Sequence, residues 1–167
     1  MLNPTGKSGL EISGDYLQLA IPLSAAIYSA IISDWQGMGQ MAKSYVSTFA
    51  ATEILKRTVR EDRPTSETKN RSGDSFPSGH TSNAFAGAGY WQMRYGWWVG
   101  APMYAAASLV AYSRVDAHAH YWWDVVAGAA IGIGFNMYFT ERYNSGTTNL
   151  AVTPMPGGAY LSVGAKF

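Results

Sequence analysis

The sequence predicts an all-α fold: a compact bundle of about five helices with a short C-terminal β-hairpin or tail. Three observations carry this. Residues 16–33, 95–113 and 125–140 hold no charged side chain and are rich in Ala, Gly and Ser, small residues that let helices approach closely. Apolar residues recur at helical spacing through Met41, Ala42, Val46, Phe49, Ala50, Ile54 and Leu55, predicting a helix over about 39–60. Pro77-Ser78-Gly79 opens a further helix over about 80–94. Breakers at 34–39, 63–79, 95–96 and 115–119 separate these segments. Beyond a polar linker at 144–149, Ala159, Leu161, Val163, Ala165 and Phe167 alternate with Tyr160, Ser162, Gly164 and Lys166. A period of two predicts a strand, paired with 150–153 across 154–158. The expected organisation is one helical domain over 1–143, with 144–167 a linker and strand pair rather than an independent domain.

Composition narrows the function. A chain of 167 residues builds one domain with a real core. Twelve Lys and Arg against eleven Asp and Glu leave a net charge of +1, so no overall field or extended basic face points to nucleic acid. The absence of cysteine excludes disulfide scaffolds, thiolate metal sites and thiol nucleophiles. Charged residues make up only 14%, well under the roughly 25% of an average soluble domain. The uncharged stretches sit at the threshold of the about 20 residues needed to cross a bilayer, yet the mean hydropathy of −0.08 is low for a chain made only of spans. Membrane helices and buried helices of a soluble bundle both fit. The N-terminus lacks the basic-then-apolar pattern of a signal peptide; the expectation is either a natural start or a targeting segment already removed.

The chemistry gathers in a few polar residues. Six of the twelve basic side chains lie between residues 56 and 71, and Lys56, Arg60 and Arg63 fall at i, i+4 and i+7, one face of a helix. Phe76-Pro77-Ser78-Gly79-His80-Thr81 reads as a tight turn into a helix: Ser78 or Thr81 caps it, and first-turn amides beside Gly79 form an anion site with His80 at its rim. Two antiparallel helices span His80 to Ser113 and return Arg114 to the same end. His120 and Asp124 stand four apart, so a carboxylate can fix the imidazole tautomer and leave the other nitrogen free to attack. Taken singly, each feature also has an ordinary structural explanation. Together, cations, an anion-binding turn, an acid-backed histidine and a second histidine make a phosphate site with a nucleophile and a proton donor.

Lys56-x6-Arg63-Pro64, Pro77-Ser78-Gly79-His80 and Ser113-Arg114-x5-His120-x3-Asp124 together resemble the three-part signature of the type 2 phosphatidic acid phosphatases. That superfamily includes bacterial acid phosphatases and vanadium haloperoxidases. The resemblance implies a phosphatase with no metal and no cofactor, acting on a phosphate monoester or pyrophosphate of a lipid or a small ester. His120 would be the nucleophile that becomes phosphohistidine, Asp124 its orienting acid, and His80 the group that protonates the leaving oxygen. Lys56, Arg63, Arg114, Ser78 and the Gly79 N–H would hold the phosphoryl oxygens. A bacterial inner membrane with an outward-facing site, or the periplasm, is the implied location. A positive-inside count would instead put the basic end in the cytoplasm, but phosphate binding accounts for those cations. A vanadate-loaded haloperoxidase and a non-catalytic headgroup-binding module are the alternatives. His118 lies outside the pattern, as a supporting or surface residue. Trp91, Trp97, Trp98, Trp122 and Trp123 fit either an interfacial belt or ordinary packing.

Overall fold

The structure is a computed structural model and describes residues 6–64, 73–144, 149–155 and 158–164. Five helices run α1 Gly9–Ile31, α2 Trp35–Val59, α3 Gly79–Tyr95, α4 Trp97–Asp116 and α5 Trp122–Phe139. Helices α1, α2 and α5 start earlier than the charge-free and periodic stretches suggest, and for the first two a side-chain cap decides the boundary. Ser8 accepts the Glu11 amide at 3.1 Å and begins α1 seven residues ahead of Tyr16. Asp34 accepts the Gly37 amide at 2.9 Å and begins α2 at Trp35. Each cap satisfies a donor that the first helical turn leaves without a partner.

Helix α3 is central and packs against the other four. Its Ala84, Ala86, Gly87, Ala88 and Gly89 are buried, and small side chains there let neighbours come close. A Cβ on Gly128 of α5 would lie 2.7 Å from the Ser78 carbonyl, and one on Gly132 would lie 2.6 Å from that of Ser82. Helices α5 and α3 therefore touch backbone to backbone, and Asn136 ties them further by donating to the Ala86 carbonyl at 2.8 Å.

The interior is unusually polar. Ser29, Ser44, Thr48, Ser113 and Asn136 are buried, whereas Leu19, Leu23, Ile31, Val46, Phe49, Trp98 and Tyr138 are exposed. No described helix is long and apolar enough to cross a membrane. Of the five tryptophans considered for a belt, Trp91 belongs to the core, with its indole N–H donating to Ser24 Oγ at 3.2 Å; Trp97, Trp98, Trp122 and Trp123 are exposed. Beyond the helices, Asn149–Met155 (β1) and Gly158–Gly164 (β2) pair antiparallel, with Val152 opposite Leu161. Ala165, Lys166 and Phe167 of the expected alternation, and the 156–157 part of the expected turn, lie outside the described residues, as do Lys69 and Arg71 of the basic run.

Candidate active site

One end of the bundle collects the C-termini of α2 and α4 and the N-termini of α1, α3 and α5. A cavity of about 810 Å³ opens there, lined by Lys56, Arg57, Arg60, Arg63, His80 and His120, with Gly79 and the carboxylates of Glu53, Asp62 and Asp74. The cations reach it differently from the expected helical face. Arg60 adopts the left-handed conformation (φ 53°) that ends α2, so Arg63 arrives on the following loop. Asp74 then holds it, accepting from Arg63 Nε at 2.8 Å. Lys56 donates to the Asp74 carbonyl at 2.5 Å, and burial keeps its pKa below the ordinary lysine value despite the nearby Asp74 charge.

The His120–Asp124 pair forms, again by another route than a shared helix face. His120 precedes α5, which begins at Trp122. Asp124 sits in the first turn and folds back, accepting the Tyr121 amide at 2.9 Å through Oδ2. The same oxygen lies 3.4 Å from His120 Nδ1 and accepts a 2.6 Å hydrogen bond from Ser75 Oγ. Because Asp124 Oδ2 already acts as acceptor toward Ser75 and the Tyr121 amide, the arrangement suits a proton on Nδ1, leaving the Nε2 lone pair free. Burial, then the charges of Arg63 and Lys56, push the His120 pKa down to about 4 against the pull of Asp124. The imidazole is therefore neutral near pH 7.

Ser78 caps α3, its Oγ 3.4 Å from the Thr81 amide, and its own N–H donates to the Asp124 carbonyl at 3.0 Å. That bond locks the turn carrying His80 to the helix carrying Asp124. Ser78 is fully buried and absent from the cavity wall. The Gly79 amide, in the first turn, makes no hydrogen bond among the described residues, and a Cβ on Gly79 would meet only Lys56 Cε, at 3.9 Å.

Arg114 departs most from expectation. It is buried and fully engaged: Nη1 donates to Asp15 Oδ1 at 2.8 Å, Nη2 to the Glu11 carbonyl at 2.6 Å, and Nε to Ser113 Oγ at 3.0 Å. It does not line the cavity. Its partner Asp15 also lies 3.3 Å from His80 Nε2 and 2.6 Å from Lys7 Nζ. Burial alone would raise the Asp15 pKa, but the bond from Lys7 and the charge of Arg114 outweigh it and hold it low. Burial and then Arg114 push His80 down to about 4, while Asp15 pulls it up. Asp15, Ser75 and Asp74 are the residues that sequence reasoning missed. The available signals were that Asp15 is the last charge before the uncharged stretch 16–33 and that Ser75 lies just ahead of the Pro77 turn. His118 is exposed, in a left-handed turn (φ 51°), with Nδ1 3.0 Å from the Asp116 carbonyl.

Among the described residues no group of three His, Asp or Glu has metal-binding geometry. The profile of the PAP2 superfamily matches residues 38–144, a span that includes every predicted site residue. The chain belongs to the PAP2 superfamily. Over 141 residues this PAP2 chain is 34% identical to a lipid A 4'-phosphatase of Helicobacter pylori, covering 80% of the chain and 71% of that protein. A lipid A 1-phosphatase of Porphyromonas gingivalis is 28% identical over 110 residues, 53% of this PAP2 chain but only 25% of the relative's length. In fold, the PAP2 chain is similar to the crystal structure of Aquifex aeolicus LpxE, with a TM-score of 0.65 at 21% identity, over 81% of this chain and 86% of that one. Asp15 lies outside the matched span.

Proposed function

We propose that this PAP2 protein is a phosphatase that releases inorganic phosphate from a lipid-linked phosphate ester through a phosphohistidine on His120. The carrying observation is a neutral imidazole whose Nδ1 faces buried Asp124 while its ring borders a cation-lined cavity. His120 Nε2 donates its lone pair to phosphorus as the ester P–O bond breaks, and protonated His80 gives its proton to the departing oxygen. The dianionic phosphate beside His80 supplies the opposite charge that lets a histidine of low free pKa take up that proton. Water then attacks the phosphohistidine, neutral His80 accepts its proton, the P–N bond breaks and His120 returns to its neutral form. Lys56, Arg63 and the Gly79 amide stabilise the charge on the phosphoryl oxygens; such positioned donors supply most of the catalysis in phosphoryl transfer. Arg114 acts one step back, by anchoring Asp15.

The two lipid A phosphatases support a phosphorylated lipid, with lipid A itself the leading substrate. The exposed apolar side chains over a polar interior support work at a lipid surface of the bacterial envelope. Phosphate release from lipid A in detergent tests the assignment, with a chelator arm and a vanadate arm. Release should persist in EDTA, vanadate should compete with substrate, and acid-labile phosphate should accumulate on the wild-type protein but not on His120→Ala. Loss of all activity in EDTA would overturn the metal-free mechanism.

A further inference from the structure

We infer that Ser75 is a positioning residue for the nucleophile: its hydroxyl, set between the Asp124 carboxylate and His120 Nδ1, holds the imidazole in the tautomer that leaves Nε2 free to attack. The inference rests on the phosphatase reading above and deepens it, because it gives the orientation of His120 to two side chains rather than to Asp124 alone.

Ser75 lies on the loop that enters α3 and is fully buried. Backbone bonds hold this loop. The Ser75 N–H donates to the Glu61 carbonyl at 2.9 Å, and the carbonyl of Asp74 accepts from Lys56. The hydroxyl is therefore not needed to keep the chain in place. Among the described residues its hydrogen-bond partners are the two members of the reacting pair: Oγ lies 2.6 Å from Asp124 Oδ2 and 3.4 Å from His120 Nδ1.

Proton counting sets the direction of these bonds. A serine hydroxyl has one proton and two lone pairs, and an ionised carboxylate only accepts. The Ser75 proton therefore points to Oδ2, and Oγ turns a lone pair toward Nδ1. Oδ2 offers Nδ1 a second acceptor, also at 3.4 Å. Two acceptors facing one ring nitrogen favour a proton there. The other tautomer would set a bare Nδ1 lone pair against both oxygens, in a buried site where such repulsion is poorly screened.

The same hydroxyl fixes the carboxylate. Asp124 Oδ1 is buried without a hydrogen bond, so Oδ2 is held by Ser75 and by the Tyr121 amide at 2.9 Å. As Nε2 bonds to phosphorus the ring gains positive charge while Nδ1 keeps its proton, and its bonds to Oγ and Oδ2 tighten. Without Ser75 the ring keeps one distant acceptor, and the aim of Nε2 is lost.

The test pairs kinetics with ring protonation. Nitrogen NMR of the full chain with isotope-labelled histidines, in detergent at neutral pH, reads the tautomer of His120, whose signals are identified by their loss in His120→Gln. Wild type should carry the proton on Nδ1. Ser75→Ala should populate the Nε2–H tautomer, keep its unfolding midpoint near wild type, and lower kcat on lipid A about tenfold or more with KM within about twofold. Ser75→Thr, which keeps the hydroxyl, should recover most of that kcat. An Nε2–H tautomer in the wild type overturns the inference even if no variant folds. So does an unchanged kcat in Ser75→Ala, or a folded Ser75→Thr as slow as Ser75→Ala; both leave the phosphatase standing. Absence of phosphate release by the wild type would instead sink the phosphatase reading, and with it the role of Ser75, whatever the tautomer.

Discussion

The two ends of this bundle each bury a carboxylate and charged partners, yet only one opens onto a cation-lined cavity. At the far end Asp34 accepts from Arg94 Nη2 at 2.5 Å, Arg94 Nε at 2.7 Å, Tyr95 Oη at 2.8 Å and the Gly37 amide. Arg94 Nη1 goes on to the Glu141 carbonyl at 3.0 Å. Both carboxylate oxygens are satisfied and the side chains are 2–3% exposed. At the active end Asp124 Oδ1 is buried without a partner, Lys56 has one hydrogen bond, and four cations face a cavity. A closed set of bonds fastens helices. An open set leaves cationic donors for a ligand, and a phosphoryl group brings acceptor oxygens to them.

Substitutions at the two ends should separate rate from stability. His120→Ala, or Asp124→Asn, should cost about ten-thousandfold in kcat while the far-UV spectrum and unfolding midpoint stay near wild type. A comparable rate in either variant would remove the active end from the chemistry. Breaking one partner of the far-end pair, as in Arg94→Met, should cost about 3–5 kcal/mol of stability, read by urea unfolding, with kcat per folded molecule retained.

A smaller effect sharpens the role of α1. Asp15 faces His80 together with Arg114 and Lys7, while Lys56, Arg63, Glu53 and His120 share its cavity. Asp15→Asn should remove the charge that favours protonated His80, lowering kcat about tenfold at neutral pH and moving the alkaline limb of the kcat profile to lower pH. A tighter vanadate complex with unchanged kcat would show Asp15 acting as a rival anion instead.

A separate effect falls on the pH dependence of stability. His80 and His120 both fall to about 4 from 6.5 in the folded protein. Between those values the unfolded chain binds more protons, so stability is full above pH 6.5 and declines as pH falls toward 4. The unfolding midpoint should follow that course, and His80→Gln/His120→Gln together should flatten it. Arg94→Met should also change the low-pH course, because burial raises the Asp34 pKa once the bond from Arg94 is lost.

What the sequence revealed follows the range of the interactions. That Lys56, Arg63, His80, His120 and Asp124 gather at one end was legible because short spacings carry them, and the helices because charge-free and periodic stretches mark them. Helix starts at Ser8 and Asp34 were missed because a single capping side chain overrode the surrounding pattern. Arg114 was assigned to the phosphate because nothing local announces Asp15, which reaches it from 99 residues away. Ser75 meets Asp124 across 49 residues in the same manner. The bonds that orient the reactive groups are long-range and emerge only once the helices dock.

The contact at Gly128 makes alignment of the proposed nucleophile hostage to one hydrogen atom. A methyl group placed there would wedge the fifth helix off the carbonyl of Ser78 and drag Asp124 with it, although nothing at position 128 touches a substrate. Gly128→Ala should therefore leave a folded yet sluggish hydrolase, a lesion that inspection of the reactive side chains alone would never suggest.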